Sequence, residues 1–143
     1  MELRGVLETA IYVDDLEAAA DFYGGVLGLS RLQRDPDRHV FFRCGDGVFL
    51  IFNPAATAND PSSVGGQMVP THGARGPSHM AFRVRDDELP AWRERLEGAQ
   101  VAIESEIAWP RGGHSIYFRD PAGNSIELAS PKLWGLPEDP PQT

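Results

Sequence analysis

Residues 7–29, LETAIYVDDLEAAADFYGGVLGL, decide how the rest of the chain is read. Leu7, Thr9, Ile11 and Val13 alternate with Glu8, Ala10 and Tyr12, the two-residue period of a half-buried strand. Asp14 or Asp15 then supplies a helix N-cap, and Leu16, Ala19, Ala20, Tyr23, Val26 and Leu27 recur at helical spacing up to a stop at Gly28. The strand's second face poses a problem at Glu8. A carboxylate enclosed without a partner is costly and tends to take up a proton. Either that face is open to water or something cationic meets it.

Working outward, SRLQRDPDRHVFFRC (30–44) reads as a strand, a Pro-Asp turn and a second strand. GDG (45–47) is a tight turn, and VFLIF (48–52) is an apolar strand. Module one, residues 5–54, is therefore strand, helix, three strands. Residues 54–77, PAATANDPSSVGGQMVPTHGARGP, are rich in Pro, Gly, Ser and Thr, and segment 55–77 reads as a linker, a length typical of a functional lid or a bridge. The order then repeats in module two, residues 78–130. SHMAFRV is a strand. Asp86 or Asp87 caps a helix striped by Leu89, Trp92 and Leu96. VAIESEI, HSIYFRD and SIELA are three further strands, the last two joined by the turn DPAGN. Residues 131–143 form a Pro-rich, irregular tail, with Leu133 and Trp134 placed to dock on the body. The expected class is α+β, with two βαβββ modules pairing around a shared cavity.

The totals narrow the function. The chain has 143 residues and a formal net charge of −8. That charge argues against a nucleic-acid partner and against anionic membrane surfaces. No apolar run approaches a membrane span, the N-terminus lacks the apolar core of a secretory signal, and Cys44 is the only cysteine. A cytoplasmic protein acting on a small molecule is expected.

Strand parity brings the chemistry together. In SHMAFRV, Met80, Phe82 and Val84 should meet the helix, leaving His79, Ala81 and Arg83 on the cavity face. In SIELA, Ile126 and Leu128 should meet the helix, leaving Ser125, Glu127 and Ala129 inside. Glu8, His79 and Glu127 thus converge from three strands. Two carboxylates and one imidazole can hold a divalent cation with positions left for water or substrate. The same three residues also suit an ordinary buried hydrogen-bonded pair with a solvated third, and spacing does not choose between these.

The runs YVDDLEAAADFYGGVLGL, GPSHMAFRV and YFRDPAGNSIEL resemble the vicinal oxygen chelate superfamily, over roughly residues 5–130. That group takes in glyoxalase I, type I extradiol dioxygenases, fosfomycin-resistance proteins, methylmalonyl-CoA epimerases and bleomycin-binding proteins. The resemblance implies paired βαβββ modules in an open barrel, with metal ligands on the first and last strands of each module. By that correspondence the ligands fall on Glu8, His79 and Glu127, with the fourth position on Phe49, which cannot ligate. Three ligands resemble the sites of extradiol dioxygenases and fosfomycin-modifying enzymes and depart from the four of glyoxalase I. Glu8, where His or Gln is more usual, departs from the two-histidine iron sites. The cation implied is divalent (Mn, Zn, Ni, Fe or Mg), acting as a Lewis acid on vicinal substrate oxygens. Glyoxalase-like lyase or isomerase chemistry and ring-cleaving dioxygenation both follow from the resemblance. So does a different class, a non-catalytic protein sequestering an antibiotic, as bleomycin-resistance members do. A homodimer is implied too, and open sheet edges favour one.

Tyr12, Arg83 and Tyr117 are the candidate substrate-binding residues. Arg83 can clamp a carboxylate or phosphate, or pair with Glu8 or Glu127. Tyr117 can donate to a bound oxygen, or simply pack. His72 reads as a solvated loop histidine, and His39 and His114 as exposed strand entrances. Trp92 and Phe22 read as core, and Cys44 as a small buried group. Nothing in the sequence matches a phosphate loop, HExxH or GxSxG, so neither nucleotide binding nor a serine nucleophile is expected.

Overall fold

The structure, a computed structural model, describes residues 1–139. The chain divides into two compact units, the first Met1–Gly76 and the second from Pro77 onward. Each is an α+β βαβββ module, as the sequence pattern predicts. Among the described residues no helix is long and apolar enough to cross a membrane.

In unit one, β1 (Glu8–Tyr12) leads through α1 (Leu16–Asp21) to β2 (Ser30–Asp35), β3 (His39–Cys44) and β4 (Gly47–Phe52). The sheet order is β1-β4-β3-β2, with β1 parallel to β4 and the other pairs antiparallel. Asp15 caps α1, its side chain accepting from the Ala18 amide at 3.0 Å. The expected single helix is in fact α-helical only to Asp21. Phe22–Val26 form a π turn, where Gly24 and Gly25 weaken the α-helical preference, and Gly28 at φ +75° ends it. Ile11, Val13, Leu16, Ala19, Tyr23, Phe42, Phe49 and Ile51 are buried on the helix side of the sheet. Tyr23 meets Phe49 edge-on at 4.9 Å. Gly47 has no room for a side chain, since a Cβ would lie 2.9 Å from the Leu7 carbonyl oxygen. The turn thereby lets Val48 N–H reach that same carbonyl at 3.0 Å and seats β1 against β4.

Residues 54–76 belong to unit one and are structured. α2 (Pro54–Thr57) is capped by Asn53, and β5 (Ser63–Val64) pairs with β6 (Gln67–Met68) across Gly65-Gly66. The segment then returns, the His72 amide donating to Thr57 O at 3.1 Å.

In unit two, β7 (His79–Arg83), a 3₁₀ turn at Asp86–Glu88, α3 (Leu89–Gly98), β8 (Ile103–Ala108), β9 (His114–Arg119) and β10 (Ser125–Ala129) repeat the order β7-β10-β9-β8. Phe82, Leu89, Leu96, Ile116, Phe118, Ile126 and Leu128 form its core. The 120–124 turn does more than the local chemistry its sequence suggests. Asp120 Oδ1 accepts from the amides of Ala122 and Asn124, and Asn124 Oδ1 accepts from the Ser78 amide at 2.8 Å and the Ser78 hydroxyl at 3.0 Å. This lashes the start of β7 to the turn and fixes His79 opposite Ser125.

The tail is less irregular than expected near its start, with a 3₁₀ turn at Pro131–Trp134 ended by Gly135. Leu133 is half-buried, but Trp134 is exposed and does not dock. Residues 140–143 lie outside the described residues.

Candidate functional site

Register settles which side chains share a face. In unit two the face away from α3 carries His79, Ala81 and Arg83 from β7, Ser125, Glu127 and Ala129 from β10, and Ser115 and Tyr117 from β9. Within it, His79 Nε2 stands 3.3 Å from Glu127 Oε1. His79 Nδ1 lies 3.0 Å from the Ser125 carbonyl oxygen, a contact that requires the ring to donate there. With Nδ1 committed as a donor, a neutral ring carries its lone pair on Nε2, aimed at a carboxylate. Two electron-rich atoms facing each other at that distance call for a positive charge between or beside them, a proton or a metal ion.

Glu127 is buried, with only 7% of its surface exposed. Its second oxygen is not idle: Ser115 donates its hydroxyl to Oε2 at 2.5 Å, and Trp109 Nε1 donates to Ser115 Oγ at 2.8 Å. Tyr117 lies opposite Glu127 across the strand pair and stacks beside His79, ring centres 6.3 Å apart. Burial first, and then the Glu127 carboxylate beside it, push the Tyr117 phenol above its usual range. It therefore stays protonated and able to donate. Arg83 shares the face, but its guanidinium donates to the Pro137 carbonyl at 3.1 Å rather than to Glu127.

The pair fits a divalent cation. Ligand atoms ~2.1 Å from a tetrahedral ion sit about 3.4 Å apart, close to the observed separation of Nε2 and Oε1. A histidine whose other nitrogen is tied to a carbonyl and a carboxylate whose other oxygen is hydrogen-bonded are the usual outer supports of such a centre. Among the described residues of either unit, no three His, Cys, Asp or Glu gather as a metal-holding group. Unit two thus offers two donors, His79 and Glu127.

Unit one contributes Glu8, exposed, at one corner of the sheet face that α1 leaves uncovered. Rows across that face run Glu8–Val48–Arg43, then Ala10–Leu50–Phe41–Gln33, then Tyr12–Phe52–His39–Asp35. They border a cavity of about 950 Å³ whose far wall is residues 62–72. The Tyr12 hydroxyl meets His72 Nδ1 at 2.7 Å and pins that wall to the sheet. His72, expected to be solvated, is therefore a half-buried wall residue, and its ring meets Phe52 edge-on at 4.6 Å. His39 is likewise half-buried rather than exposed, stacked on Phe41 at 4.0 Å.

The register also corrects one correspondence. Glu127 pairs with Ala81, and its counterpart in unit one is Leu50, which pairs with Ala10; Phe49 points into the core. A slip of one residue across the shorter 45–47 turn flips the face. Leucine ligates metal no better than phenylalanine, so unit one still lacks a last-strand ligand. Ser115 was missed by sequence reasoning, although its parity with Tyr117 in HSIYFRD marks it as sharing Glu127's face. Cys44 is half-buried and burial pushes its thiol up, as suits a packing group.

Residues 5–128 match the model of the Glyoxalase/Bleomycin resistance protein/Dioxygenase superfamily. The chain belongs to that superfamily. Among solved structures, this glyoxalase-fold chain is similar to lactoylglutathione lyase from Agrobacterium tumefaciens, with 39% identity and a TM-score of 0.87, over 95% of this chain and all of that one. Among curated proteins it is similar to the glutathione transferase FosA of Serratia marcescens, 29% identical over 88% of this chain and 80% of that protein. It is also similar to the metallothiol transferase FosB of Staphylococcus saprophyticus, 26% identical over 88% and 76%.

Proposed function

We propose that this superfamily member is a metal-dependent enzyme of glyoxalase-like lyase or isomerase type, acting on a small molecule with neighbouring oxygens. The observation that carries the reading is His79 Nε2 facing Glu127 Oε1 at 3.3 Å with the other imidazole nitrogen committed to Ser125. The 39% identity to a lactoylglutathione lyase supports the lyase class over ring cleavage.

We assign Glu8, His79 and Glu127 as the protein ligands of a divalent ion. When bound, that ion supplies Lewis-acid polarisation of a substrate carbonyl and stabilises the oxyanion that proton removal creates. The chain's own residues do the rest. Ser115 holds Glu127 Oε2 and leaves Oε1 as the donor oxygen. Tyr117, kept protonated, can donate its O–H to a substrate oxygen. Glu8, exposed and without the serine brace that restrains Glu127, is the carboxylate free to swing and take a proton at one of its oxygens. Arg83 is less available as an anion clamp, because its guanidinium is engaged by Pro137 O. We also propose that the protein works as a homodimer in the cytoplasm, which light scattering and cell fractionation test.

Elemental analysis of untagged protein, supplemented with Mn, Zn or Ni, tests the reading. Near-stoichiometric metal in the wild type, lost in Glu127→Ala and His79→Ala, is expected. Metal below about a tenth of an equivalent in wild type and variants alike overturns it. That outcome would favour the second reading, a sequestering protein, for which the acidic groups Glu8 and Asp35 beside a large cavity already speak.

A further inference from the structure

The face of unit one that carries Glu8 is graded. Its Glu8 row is polar at both ends, whereas the Tyr12 row and the Phe41 position beside it are aromatic. Phe41 and Phe52 meet edge-on at 5.3 Å, His39 lies flat on Phe41 with ring planes 12° apart, and Tyr12 stacks near Phe52 at 6.2 Å. Burial holds His39 below the ordinary imidazole value, so its ring presents a neutral slab near pH 7. Between Glu8 and Tyr12 stands Ala10, the smallest side chain of the strand face, which leaves floor space open. The cavity is larger than a three-carbon dicarbonyl compound would need.

Its charges are selective. Arg38 lines the cavity, but its guanidinium reaches the Ala56 carbonyl at 3.5 Å and lies 3.9 Å from Asp60. Glu8 and Asp35 outnumber it on the lining, and Asp60 shares its charge, so the lining carries a net negative charge that disfavours an anionic guest.

We infer that this cavity receives an aromatic ring bearing no negative charge, seated among Tyr12, His39, Phe41, Phe52 and His72. Aromatic rings gain from offset and edge-on contacts of this kind beyond the area they bury. The inference rests on the proposed function only for the head of the substrate. With Glu8 as a cation ligand, the ring belongs on the same molecule as the chelating oxygens. The rows that seat the ring, Ala10–Leu50–Phe41 and Tyr12–Phe52–His39, lie two and four residues beyond Glu8, roughly 7 to 13 Å at about 3.3 Å per residue. The ring and the oxygens are thus separated by a spacer, not fused as in a catechol.

The test uses the full chain in two arms. In the first, without metal and with EDTA, NMR titration compares benzyl alcohol, cyclohexylmethanol and phenylacetate. Benzyl alcohol should bind several-fold tighter than either, shifting signals of Ala10, Leu50, Phe41 and His72. Phe41→Leu, which keeps the apolar volume and removes the ring, should abolish the preference. Equal binding of the three probes to the wild type overturns the inference, whether or not the variant folds. In the second arm, Mn-loaded protein is titrated with benzohydroxamate and 4-phenylbutanohydroxamate. The longer chelator should bind at least fivefold tighter. If the first arm succeeds and Mn does not bind, the metal reading falls and the aromatic site stands. If Mn binds and benzyl alcohol shows no preference, the aromatic site falls and the metal reading stands.

Discussion

Ser115 donates its hydroxyl to Oε2 of Glu127 at 2.5 Å, and so decides which oxygen of that carboxylate is left to face His79. The serine is itself held by Trp109 Nε1. Outer-shell partners of this kind typically contribute 10–100-fold to metal affinity. Ser115→Ala should weaken Mn or Zn binding by about tenfold, read by competitive chelator titration, while the circular dichroism spectrum is unchanged. Unchanged affinity would show that Glu127 needs no brace.

Removing a donor should be harsher. Glu127→Gln keeps the shape and the Ser115 contact but loses the charge. Metal affinity should fall by at least about a hundredfold, whereas thermal stability in the presence of EDTA should be maintained or rise, since a buried carboxylate no longer has to be kept charged. A variant that still holds a full equivalent of metal would remove Glu127 from the ligand set.

Acid should act on unit one through His39. Burial lowers its pKa, with Asp35 opposing and Arg38 adding to the shift. The unfolded chain takes up this proton near 6.5, the folded chain only at lower pH. The stability gained by keeping the ring neutral is complete above about 6.5 and is lost as pH falls through that value toward the folded one. Its Nε2 is also buried without a hydrogen-bond partner. His39→Phe should therefore flatten the decline in urea midpoint between about pH 6.5 and 5 and raise stability at pH 7 by roughly 1 kcal/mol. Parallel pH profiles for wild type and variant would exclude His39 as the group responsible.

Asp86 gives unit two a second acid-sensitive point. Its Oδ1 takes the Ser130 hydroxyl at 2.7 Å and His114 Nδ1 at 2.8 Å, and hydrogen bonding from these two groups, His114 first, holds the carboxyl below its usual range. A lowered carboxylate stabilises fully above its unfolded pKa, about 3.9, and loses that contribution as pH falls through the folded value. Asp86→Asn should cost on the order of 1 kcal/mol at pH 7. The gap should close below about pH 4, as followed by denaturant melts.

The Tyr12–His72 contact predicts a mechanical effect. Tyr12→Phe keeps the ring and deletes the hydroxyl that meets His72 Nδ1. Amide exchange at His72 and across 62–72 should speed up several-fold, with β1 to β4 unaffected. No change would assign the wall's position to the β5–β6 hairpin and α2 instead.

Alternation and turn chemistry were enough to read both modules, their helix-facing residues and the shared face of His79 and Glu127, because each strand has one apolar side that a period of two exposes. Long-range hydrogen bonds leave no such trace. His72 looks like any loop histidine until the chain returns it to Tyr12, and Ser115 looks like a strand filler until Glu127 lies across from it. The Phe49 assignment failed for a different reason. Matching the modules through turns of unequal length shifts the count by one, and in a strand one residue is the difference between core and cavity. The π turn at 22–26 was also hidden, since its apolar spacing does not differ enough from that of an α-helix over so few residues.

Both four-stranded sheets have the same order, and among the described residues the first strand of each module pairs with its last. A ribosome releasing this chain therefore delivers Glu8 long before β4 exists to receive it, and His79 well before β10 arrives. Each donor waits some forty residues for its neighbour. The His79–Glu127 pair is completed only as β10 is made, and a chain cut short before SIELA would lose its histidine's anchor together with its glutamate.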